Sequence, residues 1–149
     1  MTMRRTCDTI STMKKKDRQP CIGKVIIPAG HNNPQEPHEI DAAQILAGHF
    51  SCDVEFIVPV DDYMRKTADI LMLGVEWELK IPVGSKKSTI GAQFRRASKQ
   101  AKHIIIDTRR TKLEYAEIEK QVFIEMDNRK SIKKTILIDK SKKVIAIQK

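Results

Sequence analysis

The segment His103 to Asp107 reads HIIID, and it limits the fold more than any other stretch of the chain. Three consecutive isoleucines leave no polar face, so such a strand belongs in the middle of a sheet covered on both sides. Covering a sheet takes helices, and helical patterns flank this strand. Ser88 to Lys102 places Ile90, Phe94, Ala97 and Ala101 on one side, and Leu113 to about Asn128 does the same with Ile118, Val122 and Met126. Upstream, Val54–Val58, Ala68–Leu73 and Val75–Ile81 read as strands, the last two joined as a tight hairpin at Gly74. Val25 to Ile27 is a candidate short strand, closed by Pro28. Pro37 suits the first turn of a helix from His38 to Phe50, with Gly48 near its end. Thr135–Asp139 and Val144–Ile147 read as a closing hairpin across DKSKK. The order is helix, three strands, helix, strand, helix, two strands: an α/β domain with a mixed sheet.

A chain of 149 residues fits one domain with a real core. Hydrophobic residues at 40% and charged residues at 32% describe a soluble globular chain rather than a disordered one. No apolar run approaches the roughly 20 residues that cross a bilayer, so no membrane association is expected. Residues 1–20 read as a basic flexible N-terminal tail, and residues 21–149 as the single domain. The tail has no apolar stretch behind its charges, so no secretory signal is expected. Cys7, Cys21 and Cys52 are odd in number and form no CxxC pair, which points to reduced thiols and a cytoplasmic site of action. Nucleophile-elbow and nucleotide-binding glycine motifs are absent.

Lys and Arg total 28 against 19 Asp and Glu, a formal charge of +9. That excess favours polyanionic partners through phosphate contacts and counterion release. Its distribution sharpens the point. From Lys86 to Lys112 there are nine Lys/Arg and one acid, Asp107. Nucleic acid is the partner this suggests, with Lys86, Lys87, Arg95, Arg96, Lys99, Gln100, Arg109 and Arg110 as candidate contacts. Ser85 to Ser88, where a loop meets a helix N-terminus, could cradle a phosphate or simply cap the helix, with Ser85 or Ser88 as the cap.

Side chains alternate across a strand, so Glu76, Glu78 and Lys80 share one face of VEWELK while Trp77 and Leu79 share the other. Alone, such a face reads as solvated surface. Asp69 changes this, because a hairpin turning at Gly74 brings it alongside Glu78. Two carboxylates side by side repel unless a cation lies between them. A hard divalent ion such as Mg²⁺ takes oxygen ligands and keeps several waters, and it can polarise a phosphodiester oxygen and activate water. A lysine two residues beyond Glu78 points into the same space, where it can orient the water and offset transition-state charge. The first helix adds a second anomaly. On a helical wheel Glu39 falls in the middle of the apolar face of Ile40, Ala42, Ala43, Leu46, Ala47 and Phe50. It either needs a buried partner or metal, or it sits near solvent in the first turn and favours the helix dipole.

The pattern Asp69 then Glu78-Leu79-Lys80, set in helix–β–β–β–helix–β, resembles the PD-(D/E)xK nuclease superfamily of restriction-endonuclease-like enzymes. Position 68 is Ala, where the motif's name has Pro. The longer run Glu78-Leu79-Lys80-Ile81-Pro82-Val83-Gly84, followed by Gln100-Ala101 and the strand His103–Asp107, is similar to the C-terminal tRNA-nuclease toxin domains of contact-dependent growth inhibition systems. This resemblance spans roughly residues 36 to 110. It implies an αβββαβ nuclease core, here with an extra C-terminal helix and hairpin. It also implies a metal, Mg²⁺ or another divalent cation such as Mn²⁺ or Zn²⁺, held by Asp69 and Glu78 with the Leu79 carbonyl as a further ligand. Lys80 would be the catalytic lysine and Glu39 would complete the site. The implied activity is metal-dependent cleavage of nucleic acid, with tRNA the favoured substrate and an immunity protein as partner. Two competing readings are a DNA endonuclease of the same fold and a non-catalytic basic nucleic-acid-binding module.

Overall fold

The computed structural model describes residues 4–6 (as backbone), 23–30, 35–59 and 67–149. Eleven elements follow in order: β1 (Arg4–Thr6), β2 (Val25–Ile26), α1 (Pro37–Phe50), β3 (Val54–Phe56), β4 (Ile70–Met72), β5 (Val75–Lys80), α2 (Ser88–Ala97), β6 (His103–Asp107), α3 (Tyr115–Asn128), β7 (Lys134–Ile138) and β8 (Val144–Gln148). The strands form one eight-stranded mixed sheet in the order β1-β8-β7-β6-β5-β4-β3-β2. β5, β6 and β7 run parallel at its centre, and antiparallel pairs β3–β4, β4–β5 and β7–β8 flank them.

The central strands are apolar because both of their faces are covered. Ile105, Ile136, Ile138, Val144 and Ala146 join Trp77, Leu79 and the buried side of α1 in one core. Ile104, Ile106, Leu137, Ile145 and Ile147 point the other way, onto Ile90 and Phe94 of α2 and Ile118, Val122 and Met126 of α3. Alternation along β6, β7 and β8 thus assigns each side chain to one of two cores.

The hairpin joining β4 and β5 sets the register of everything that follows. Met72 pairs with Val75, and the two turn residues between them both have positive φ, Leu73 at 56° and Gly74 at 72°. This is the type I′ pattern, whose twist matches that of the strands it joins. Trp77 is buried and donates its indole N–H to the Met72 carbonyl at 3.1 Å, tying the turn to the core. At the far edge, the backbone of Gly23 lies against the Ala47 and Cys52 carbonyls at the end of α1, with no room for a side chain.

Two features depart from the sequence reading. α2 stops at Ala97 rather than continuing to Lys102: residues 98–100 form a turn, in which the Ser98 hydroxyl donates to the Arg95 carbonyl at 3.1 Å. Within the stretch read as a flexible tail, Arg4–Thr6 pair with Ala146–Gln148 of β8; the rest of residues 1–20 lies outside the described residues, as do Cys7 and Cys21.

Candidate active site

Extending the β4–β5 register by one pair sets Asp69 opposite Glu78, since Ile70 lies opposite Trp77. The Asp69 N–H donates to the Trp77 carbonyl at 3.0 Å and its carboxylate Oδ2 accepts the Leu79 N–H at 2.8 Å. One oxygen of Asp69 is therefore fixed on the β5 backbone beside Glu78. Because α1 covers the Trp77 and Leu79 face of β5, Glu78 projects toward the layer of α2.

Glu78 is only 2% exposed, unusual for a carboxylate. Lys80 Nζ lies 3.0 Å from its Oε1. With its amide oriented to satisfy both partners, Gln100 donates to both Glu78 oxygens, at 2.6 Å to Oε2. The early end of α2 makes this last contact possible, because the turn over 98–100 carries Gln100 back toward β5. Burial, then the charge and hydrogen bonding of Asp69, push the Glu78 pKa up from 4.5 to about 8, against the pull of Lys80. Burial beside Asp69 thus favours the protonated form of Glu78, and a cation between the carboxylates would displace that proton.

The other candidates are distributed unevenly. Glu39 accepts the Glu36 N–H at 2.9 Å, in the first turn of α1. It caps its own helix, so the near-solvent reading of Glu39 describes its geometry. Among the described residues, no group of three or more His, Cys, Asp or Glu side chains could hold a metal. Lys86, Lys87, Arg95, Arg96 and Lys99 are exposed along α2 and its adjoining loops, and Arg110 is exposed in the loop after β6. The helix N-cap is Lys87, without a side-chain cap bond, so neither Ser85 nor Ser88 has that role.

Arg109 is paired with carboxylates from two elements. Its Nε and Nη2 donate to the buried Asp107 at 2.9 and 2.7 Å, and its Nη1 donates to Asp41 at 2.5 Å. The guanidinium joins the end of β6 to α1, and its hydrogen bond holds the Asp41 carboxyl below its usual range. Sequence reasoning missed this clamp. The signal available was the acid inside the basic stretch, Asp107, but Asp41 lies 68 residues from Arg109 and nothing local connects them. Gly84, at φ 93°, is held by Thr111 Oγ1 at 3.0 Å and by the Lys112 N–H at 2.8 Å, which pins the loop after β5 beside the loop after β6.

A mixed sheet covered on both faces, with two carboxylates and a lysine gathered on one hairpin, defines an α/β domain with a compact acidic site at the edge of a basic surface. The chain belongs to the contact-dependent growth inhibition CdiA C-terminal domain family, whose model matches residues 66–144. That span includes Asp69, Glu78, Lys80 and Gln100. Among solved structures the chain is similar to the CdiA-CT/CdiI toxin and immunity complex from Burkholderia pseudomallei, with a TM-score of 0.62 and 20% identity, covering 85% of this chain and 100% of that one. At that identity the likeness is one of fold. A comparison with curated proteins gives no match.

Proposed function

We propose that this chain is a nuclease toxin domain of the PD-(D/E)xK type that hydrolyses phosphodiester bonds in RNA, with tRNA as the favoured substrate, at Asp69, Glu78 and Lys80. The observation that carries the reading is the buried Glu78 carboxylate set opposite Asp69, with a lysine at 3.0 Å. A hairpin with only a structural role has no need to bury Glu78 against Asp69, because isolating like charges from water is costly. Family membership supports the same reading, as does the basic surface of α2 beside the site.

The residues fit a hard divalent cation. Two carboxylates with water completing the shell suit Mg²⁺ or Mn²⁺, whereas Zn²⁺ favours nitrogen and sulfur ligands that the pair does not offer. Asp69 and Glu78 would hold the ion, and the Leu79 carbonyl would be a further oxygen ligand. When bound, the ion supplies Lewis-acid polarisation of the phosphodiester and a more acidic water. Asp69, anchored through Leu79 N–H, keeps its carboxylate aimed across the hairpin. Gln100 restrains Glu78 from the helix side. Lys80, released from Glu78 once that carboxylate has another cation, would orient the attacking water and balance the charge growing on the phosphate. Lys86, Lys87, Arg95, Arg96 and Lys99 would track the backbone through contacts that carry no sequence information.

The solved relative is a toxin bound to its immunity protein. By analogy a partner inhibitor would cover this site, and the +9 charge favours an acidic one. The cytoplasm of a target cell, where tRNA is found, would be the place of action. The test is cleavage of total tRNA and plasmid DNA in parallel, with Mg²⁺ or with EDTA. Metal-dependent cutting of tRNA supports the reading. Cutting of DNA alone moves the substrate, and salt-sensitive binding without cutting of either leaves only the binding module.

A further inference from the structure

Beside the carboxylate pair an open cavity of about 270 Å³ is lined by Val75, Glu76, Gln100, Ala101, Lys102 and His103. It lies where β5 and β6 begin. It shares a wall with the active site, because Gln100 both lines the cavity and donates to Glu78. The chemistry of the lining is mixed in a particular way. Val75 and Ala101 offer apolar surface, and the His103 ring is fixed edge-on to Trp77 at a centroid distance of 5.1 Å. Glu76 brings an acceptor carboxylate and Lys102 a donor ammonium. Both are exposed, and neither side chain has an ion-pair partner among the described residues.

We propose that this cavity is a base-recognition subsite for a guanine adjacent to the scissile phosphate; the inference rests on the nuclease reading of Asp69, Glu78 and Lys80. An unpaired base has apolar faces and a polar edge, and single-stranded RNA is read by stacking and by hydrogen bonds to that edge. The Watson–Crick edge of guanine has two neighbouring donors, N1–H and N2–H, and one acceptor, O6. A carboxylate accepts from two such donors at once, and an ammonium beside it suits the O6. Uracil and cytosine each lack the paired donors, and adenine has an amino group but no N1–H. Spacing agrees with adjacency. Glu76 and Glu78 are two residues apart on one face of β5, roughly 6.8 Å at strand rise, which is the scale of one nucleotide step.

Isothermal titration calorimetry with mononucleotides reports occupancy of the cavity without requiring cleavage. Titration of the wild-type chain with GMP, AMP, CMP and UMP should show GMP bound most tightly, and Glu76→Gln should lose that preference by about tenfold or more, the scale of a bidentate base contact. Lys102→Ala is a second variant on the exposed rim and should weaken GMP without equalising the four. Equal affinity for all four nucleotides, or a GMP preference unchanged in Glu76→Gln, overturns the subsite. Cleavage of short RNAs differing at one position separates this failure from that of the parent reading. Cutting that is indifferent to guanine refutes the subsite alone. GMP selectivity without any cutting refutes the nuclease and leaves the cavity as a base-binding site.

Discussion

Replacing Glu78 by Gln should stabilise the metal-free protein, and increasingly so as pH rises. The carboxyl titrates at about 8 in the fold against an ordinary 4.5. Below pH 4.5 it is protonated whether the chain is folded or not, and its ionisation costs the fold nothing. Between 4.5 and 8 the unfolded chain releases the proton while the folded chain keeps it, so stability falls with pH; above 8 the loss is complete. At about 1.36 kcal/mol for each pH unit, the gap sets a ceiling of about 5 kcal/mol. Relaxation of the ionised site and entry of water reduce what is realised, and the variant also gives up the charge that Lys80 answers. We expect about 2 kcal/mol in favour of Glu78→Gln at pH 9, or about 5 °C in Tm, shrinking to almost nothing near pH 4.5. The assay is thermal unfolding of both proteins in EDTA across pH 4.5 to 9. Mg²⁺ should then reverse the order at pH 8 to 9 by stabilising only the wild type, through preferential binding to the folded state. A stability difference independent of pH would refute the argument that burial beside Asp69 perturbs Glu78.

Three further perturbations test the scaffold. Gly23→Ala would drive a methyl group into the Ala47 and Cys52 carbonyls and should cost about 3 kcal/mol in urea unfolding, as overpacking against rigid backbone does; a cost below about 0.5 kcal/mol would show that this edge yields. Arg109→Met would leave the buried Asp107 without its cation and should cost about 3–5 kcal/mol, while the Asp41 pKa, followed by NMR, should rise back toward its ordinary value. An unchanged Asp41 would mean the ion pair is not held in solution. Leu73→Asn should stabilise by about 0.5–1 kcal/mol in chemical denaturation, because the residue sits at φ 56° and is 48% exposed, and asparagine tolerates the left-handed conformation at less cost than leucine.

The fold was legible where periodicity was strong. HIIID, the two amphipathic helices and the Gly74 turn are local patterns, and the structure places all of them close to where the sequence suggests. What escaped was set by contacts between distant residues. β1 is three residues without an apolar pattern, and only its pairing with β8 makes it a strand. The apolar stripe of α2 continues to Ala101, whereas the backbone leaves the helix in a turn over residues 98–100. At the site, the alternation in VEWELK and the hairpin register were enough to bring Asp69, Glu78 and Lys80 together. Glu39 was harder, because a wheel cannot distinguish a carboxylate aimed at a distant metal from one turned back onto its own helix end. Charge counting likewise could not show the carboxylates that Arg109 binds.

The central claim is that Lys80 acts in chemistry and not only as the counterion of Glu78. Single-turnover cleavage of tRNA in saturating Mg²⁺ by wild type and Lys80→Ala, with thermal unfolding of both alongside, tests it most directly. The account predicts that the variant remains folded, binds tRNA with similar affinity and loses at least about a hundredfold in the cleavage step, the lower end for general acid–base help. Cleavage at the wild-type rate by a folded Lys80→Ala protein would contradict it.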